Sequence, residues 1–389
     1  MQALVEKFRR CIQALVLPVA GLAVIFAAPA GTVAAGADKQ MIEAAYAGDA
    51  AEVERLLAGG ADVNHRLANS ATALFLASRN GHGAVVETLL AKGAAVDMQA
   101  KGGETALFMA SWYGHGAIAE ALLAKGATVD LRTNDGATAL IMAAQNGHGA
   151  IVEALLAKGA AVDVQAKGGE TALFIASQEG HGVVVEALLA KGAAVDVRGN
   201  DGATALYIAS QNGHGAIVEA LLAKDATLDL QTNAGTTALF IASEHGQGAI
   251  VEALLAKGAA VDVQDNGGAT ALFMASQEGH GAIVEALLAK GAPINVQDGN
   301  GATALFIASM NGRAAIVYAL LAEGAAVDVQ GDDGATALIF ASYFGYTEIV
   351  EALLEKGANT ELQFQNGRTA LDLAKNATIE KMLRAATKP

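Results

Sequence analysis

Cysteine is all but missing from this chain: Cys11 is the only one among 389 residues, so no disulfide framework can form. A chain without further thiols tolerates an oxidising compartment, which permits export without requiring it. Aromatic residues make up only 5% and prolines number four, while Ala and the aliphatics dominate. The 45 glycines recur at fixed intervals, where a disordered tract would scatter them. At this length a single core rarely suffices, so the composition favours a repeat array.

Positive charge is also in short supply. Lys and Arg total 25 against 40 Asp and Glu, for a net charge of −15. Loss of residues 1–37 would remove Lys7, Arg9 and Arg10 with only Glu6, making the remainder more acidic still. Such a chain repels polyanions, and no Lys/Arg cluster follows residue 37, which argues against nucleic acid or an anionic membrane surface as partner. Phosphate-loop, nucleophile-elbow and metalloprotease-helix patterns are missing too, so neither enzymatic activity nor a cofactor is expected.

What the N-terminus does have is an export pattern. Lys7, Arg9 and Arg10 precede an uncharged stretch, apolar from Ile12 to Ala28, and small residues follow. Residues 1–37 are read as a signal peptide, with Ala35-Gly36-Ala37 as the favoured cleavage site and Ala28-Pro29-Ala30 as a second. The competing reading is a retained anchor, since the apolar stretch approaches the roughly 20 residues that span hydrocarbon. Both place the remainder outside the cytosol, in a periplasm or the extracellular space.

A period of 33 organises the rest. Thr72, Thr105, Thr138, Thr171, Thr204, Thr237, Thr270, Thr303, Thr336 and Thr369 recur at that spacing, each followed by Ala-Leu. The same frame carries a Gly nine residues later, a Leu-Leu pair and a Gly-Ala, and the typical unit reads GATALFIASQNGHGAIVEALLAKGAAVDVQ. Thr suits a helix N-cap, Ala-Leu-Phe-Ile-Ala-Ser a first short helix, and Ala-Ile-Val-Glu-Ala-Leu-Leu-Ala a second. Lys-Gly-Ala closes the second helix, with Gly in the left-handed conformation. Helices of about eight residues cannot survive alone, so their burial must come from stacked neighbours.

This pattern resembles the ankyrin repeat, over roughly residues 38–387 and about eleven repeats. The resemblance implies an all-α solenoid of helix-turn-helix units with short β-turn or hairpin projections. It also implies a protein–protein interaction module that binds along a concave groove. At about 8–10 Å per helix layer, eleven units would extend on the order of 100 Å. The chain departs from the family in having Ala for the Pro after Thr. It also has Phe75, Phe108, Ile141, Phe174, Tyr207, Phe240, Phe273, Phe306 or Ile339 in place of the family His, so a side-chain hydrogen bond should give way to apolar packing. Asp225 replaces a closing Gly, a left-handed position costing a non-glycine residue about 1 kcal/mol. Ser70 replaces a turn Gly, and Pro293 enters the turn after Gly291. Polar capping units are expected at both ends, with Lys39, Gln40 and Glu43 ahead of the first helix and Asp372, Lys375, Glu380, Lys381 and Arg384 in the last unit.

Three ladders look chemical. His82, His115, His148, His181, His214 and His280 each stand between two glycines. Equivalent atoms in adjacent units lie about 10 Å apart and zinc needs ligands at about 2.1 Å, so inter-helix hydrogen bonding is the favoured reading. Glu54, Glu87, Glu120, Glu153, Glu186, Glu219, Glu252, Glu285 and Glu351 read as a solvated stripe. Asp130, Asp163, Asp196, Asp229, Asp262 and Asp328 form a row near the turns, too widely spaced for the six to eight oxygens of a calcium site. Metal binding or hydrolysis on these ladders is the alternative from a different class.

The informative positions are those where the repeat breaks its own pattern. Gln145-Asn146, Gln178-Glu179, Gln211-Asn212 and Gln277-Glu278 share one frame, which Trp112-Tyr113 and Tyr343-Phe344 fill with aromatics. Met310 and Tyr46 share its first place. In proteins of this kind such positions line the binding face, so Trp112, Tyr113, Met310, Tyr343, Phe344 and Tyr46 are the candidate partner-binding residues. The expectation is an exported, monomeric scaffold binding a protein partner. A secreted protein that binds a target on a host cell is the nearer alternative.

Overall fold

The structure, a computed structural model, describes residues 33–386. The basic residues Lys7, Arg9 and Arg10, the apolar stretch after them, Cys11 and the Ala28-Pro29-Ala30 site lie outside the described residues. The chain divides into two compact units, residues 1–101 and 102–389. The first holds helices Val33–Ala47, Ala50–Ala58, Ala73–Asn80 and Gly83–Ala91. The second runs from Ala106–Tyr113 to Thr347–Glu355 as successive pairs of a leading and a trailing helix, followed by the single α-helix Ala377–Ala386. Among the described residues no helix is long and apolar enough to cross a membrane.

Each leading helix starts because its threonine caps it. Thr72 Oγ1 accepts the N–H of Phe75 at 3.2 Å, and Thr105, Thr138, Thr171, Thr204, Thr237, Thr270, Thr303 and Thr336 repeat the bond three residues on. Most end on the expected glycine, as at Gly180, where φ is +80° and the N–H returns to the Ala176 carbonyl, while three are capped one residue before it by Asn146, His245 and Asn311. Most of the apolar residues between are buried. Leu173 is 1% exposed and Leu188 in the paired trailing helix 0%, each burial contributing about 1.5–3 kcal/mol. Within residues 102–386, Ala172–Glu179 packs on Ala139–Gln145 before it and Ala205–Asn212 after it, and the other leading helices do likewise. The nine glutamates of the stripe are all exposed on the trailing helices.

Several details differ from the sequence reading. Lys39, Gln40 and Glu43 do not precede the first helix but sit on it, because Val33–Ala47 also includes the proposed cleavage residues Ala35-Gly36-Ala37. Thr369 starts no helix: residues 370–373 form turns, and Thr369 and Asp372 bond to each other, the Thr369 N–H and hydroxyl both reaching Asp372 Oδ2 at 2.9 Å. The projecting segments are turns, as expected, with isolated antiparallel bridges at Gln264–Thr270 and Phe364–Arg368. Tyr207 recovers a hydrogen bond at the place of the family histidine, since its hydroxyl accepts from Thr236 Oγ1 at 3.2 Å. Asp225 and Ser70 do take the left-handed conformation, at φ +58° and +65°.

Candidate functional site

The histidine ladder is structural. His148 Nε2 lies 3.1 Å from the carbonyl oxygen of Trp112, 36 residues earlier, and His82, His181, His214 and His280 meet Tyr46, Gln145, Gln178 and Glu244 in the same way. The ring also seats on the turn glycine of the preceding unit. A Cβ on Gly180 would fall 2.7 Å from His214 Cε1, so this glycine is required both for its backbone and for the ring. Gln247, Arg313 and Tyr346 fill the same seat where histidine is absent. Among the described residues no three His, Cys, Asp or Glu side chains are placed to hold a metal.

The aspartate row is structural too, with a partner the sequence does not mark. Asp130, Asp163, Asp196 and Asp229 accept the backbone N–H of Ala161, Ala194, Thr227 and Ala260, each 31 residues on, at 3.0–3.1 Å. Asp328 accepts from Asn359 at 2.8 Å, and Asn64 and Asn295 do the same for Ala95 and Ala326. These bonds staple one unit to the next. At Asp262 the residue 31 places on is Pro293, which has no N–H to give. Both line a cleft of about 540 Å³ with Leu255, Val261 and Lys290.

The turn tips carry a second ladder. The N–H groups of Asn200, Asn233 and Asn266 bond to the carbonyls of Gly168, Asp201 and Ala234. Their side-chain amides reach Lys167, Asn200 and Asn233 at 2.8–2.9 Å. The backbone rungs continue at Gly299 and Asp332, but a glycine and then a carboxylate cannot continue the side-chain series.

Against this regular frame the candidate aromatics stand out. Trp112 is half-buried, edge-on to Phe108 at 5.9 Å and stacked on Tyr113 at 5.8 Å, and Tyr113 is 39% exposed. Tyr46 is half-buried in Val33–Ala47, and its carbonyl accepts from both Asn80 and His82. Tyr343 and Phe344 are 50% and 44% exposed and touch edge-to-face at 5.0 Å. Met310 is half-buried against the adjoining core.

The second patch is larger than the sequence reading made it. Phe340, which that reading left out, joins Phe306 at 5.3 Å, Phe364 at 6.0 Å and Phe344 at 6.1 Å, and Phe344 continues to Tyr346 at 5.9 Å. Its signal was present: this unit reads Ile339-Phe340 where the unit before reads Phe306-Ile307, which moves the ring one place along the helix, where it is half-buried. Six rings therefore form one continuous cluster, with Phe306 buried at its base, Tyr343 and Phe344 exposed at its outer edge, and Met274 and Met310 at its flank.

The structure agrees with comparison against known families. The family pattern "Ankyrin repeats (3 copies)" matches in overlapping windows, at residues 41–133, 125–199, 184–265, 206–298, 250–331, 272–364 and 305–385. These span nearly all of the described chain, and the stacked helix pairs are the architecture of that class. The chain belongs to the ankyrin repeat family. Such repeats are generally protein–protein interaction modules, and the scaffold is typically non-catalytic. No curated protein matches the chain.

Proposed function

We propose that the protein is an exported, monomeric scaffold that binds a protein partner through aromatics at the ends of its leading helices. The surface built on Phe340, Tyr343 and Phe344 is the main anchor, and Trp112-Tyr113 a second contact. The observation that carries this reading is the exposure of Tyr343 and Phe344 above a fully ring-packed base. Large aromatics already held by neighbours lose little freedom on binding and remove much apolar area from water. The repeats elsewhere mostly place Gln, Asn or Glu in the same frame, with Tyr46, Arg79, His245 and Met310 as single exceptions, so the aromatic pairs are local departures from the repeat. Export rests on Lys7, Arg9 and Arg10 ahead of the apolar stretch.

Proximity labelling with the full chain, followed by pull-down, identifies the partner. Alanine at Tyr343 and Phe344 together is expected to weaken its binding by about 2 kcal/mol, and at Trp112 and Tyr113 by about 1 kcal/mol. Losses below about 1 kcal/mol at both patches would end the proposal. N-terminal sequencing of the exported protein distinguishes cleavage near Ala37 from a retained anchor.

A further inference from the structure

The aromatic surface adjoins an unusual concentration of carboxylates. A Cβ on Gly331 would meet the Phe306 ring at 3.6 Å, so the tip that begins at Gly331 lies against the base of the patch. The next two residues are Asp332 and Asp333, both exposed, where most earlier tips read Asn-Asp, Asn-Ala, Asn-Gly, Gly-Asn or Lys-Gly. Asn200, Asn233 and Asn266 spend their amides on the preceding tip, whereas Asp332 offers a carboxylate and no donor. Asp265 and Asp298 occupy the neighbouring tips, and Glu244 and Glu278 end the leading helices alongside.

From Gly199 to Gly367 the tips carry no Lys or Arg, whereas the earlier tips hold Arg66, Lys101, Arg132, Lys167 and Arg198. Lys125, Lys158, Lys191, Lys257, Lys290 and Lys356 all follow trailing helices as their C-caps. Arg313 is spent on the Gln277 carbonyl at 3.3 Å. Arg368, 5.8 Å from the Phe364 ring centre, is the cation on the last tip. The tips around the aromatic patch are thus acidic as far as Gly367, with Arg368 and Lys375, whose side chain packs beside Gly345, among the cations of the last unit.

From this distribution we infer that the partner segment seated on Phe340, Tyr343 and Phe344 is cationic: an extended stretch in which Lys or Arg flanks an apolar or aromatic side chain. The inference rests on the binding role proposed for this patch. The apolar side chain covers the exposed rings, while its basic neighbours reach Asp332, Asp333 and Asp298. Guanidinium groups also stack on Tyr343 and Phe344. An acidic segment would meet repulsion from several carboxylates at once, which rejects it without any steric device.

The test is selection of a random 12-residue peptide library on the full chain, with two variants in parallel. Asp332→Asn/Asp333→Asn removes the charge but keeps an oxygen for the Ala335 N–H that Asp333 now accepts at 3.0 Å, so the tip remains capped. Tyr343→Ala/Phe344→Ala removes the outer rings, and unchanged circular dichroism shows that both variants fold. The expected result is enrichment of Lys and Arg beside an aromatic or large aliphatic residue. Those peptides should lose at least threefold in affinity on the Asn variant and at least tenfold on the Ala variant. Binding should also weaken as salt rises from 50 to 300 mM.

Peptides that need Tyr343 and Phe344 but show no basic bias, or an acidic one, overturn the charge inference and leave the patch standing. Peptides indifferent to both variants overturn the inference and the patch together, as does recovery of no binder at all.

Discussion

Asp196 and Thr227, 31 residues apart, are joined by two hydrogen bonds: the Asp196 carboxylate accepts the Thr227 N–H at 3.0 Å and its hydroxyl at 2.6 Å. The same backbone bond recurs from unit to unit, and Pro293 deprives Asp262 of it. Removing the two kinds of carboxylate should therefore have different effects. Asp163→Ala leaves the Ala194 N–H without its acceptor and is expected to lower stability by about 1 kcal/mol. Asp262→Ala should leave stability unchanged. Urea midpoints of the two variants check this, and equal losses would mean that the staple contributes nothing.

Asp225 sits where other units have glycine, at φ +58°, and the trailing helix before it, Gly215–Leu222, is a residue shorter than most. Asp225→Gly should raise stability by about 1 kcal/mol by relieving the left-handed strain, partly offset by the greater freedom of glycine in the unfolded chain. Thermal unfolding reads the shift directly, and a lower midpoint would show that this turn is unstrained.

The serine of each leading helix is fully buried, and the Oγ atoms of Ser78, Ser111, Ser177, Ser243, Ser309 and Ser342 have no hydrogen-bond partner. Ser210 and Ser276 instead donate to the carbonyl four residues back at 2.7 Å. Ala144 stands in the same frame and is equally buried. Ser177→Ala removes a desolvated hydroxyl without leaving a cavity of consequence, so stability is expected to rise by about 0.5–1 kcal/mol. A loss of that size would mean the hydroxyl is bonded in solution.

Burial of Tyr207 pushes its phenol pKa up, and the bond from Thr236 only partly opposes this. The unfolded chain then gives up this proton near pH ~10 while the folded chain still holds it. The neutral phenol therefore contributes its full stability below that pH, and the contribution is lost as pH rises through the higher folded value. Tyr207→Phe has nothing to ionise, so wild type should lose stability relative to it between pH 9 and 11. Parallel urea midpoints across that range would show the phenol to be in contact with water.

Much of this architecture was legible in the sequence because its determinants are local. A threonine three residues ahead of an amide, or a glycine at a left-handed turn, is fixed by spacing within one helix, so the caps and turns were readable from a single unit. The aspartate staples were not. Their partner is a backbone amide 31 residues away, which no residue type marks until Pro293 removes it. Thr369 shows the opposite failure, since the Thr-Ala-Leu frame is complete but the Thr369 N–H and hydroxyl are taken by Asp372 and residues 370–373 form turns. At the aromatic site, Tyr343 and Phe344 announced themselves by replacing polar residues. Phe340 was concealed because it merely exchanged places with an isoleucine, and only column-by-column alignment of the units reveals that exchange.

The seating of each imidazole on the glycine of the unit before it has a genetic consequence. Every such joint is made of the same parts, so a block copied in frame meets neighbours that already fit it. The repeated AKGGET at 100–105 and 166–171 and the NDGATAL that starts at 134 and again at 200 have the form of such a copy. Recombination within the gene can thus lengthen or shorten the array in whole units without disturbing the joints. Under the binding role proposed for Phe340, Tyr343 and Phe344, selection would hold that set of rings constant and not the number of units ahead of it.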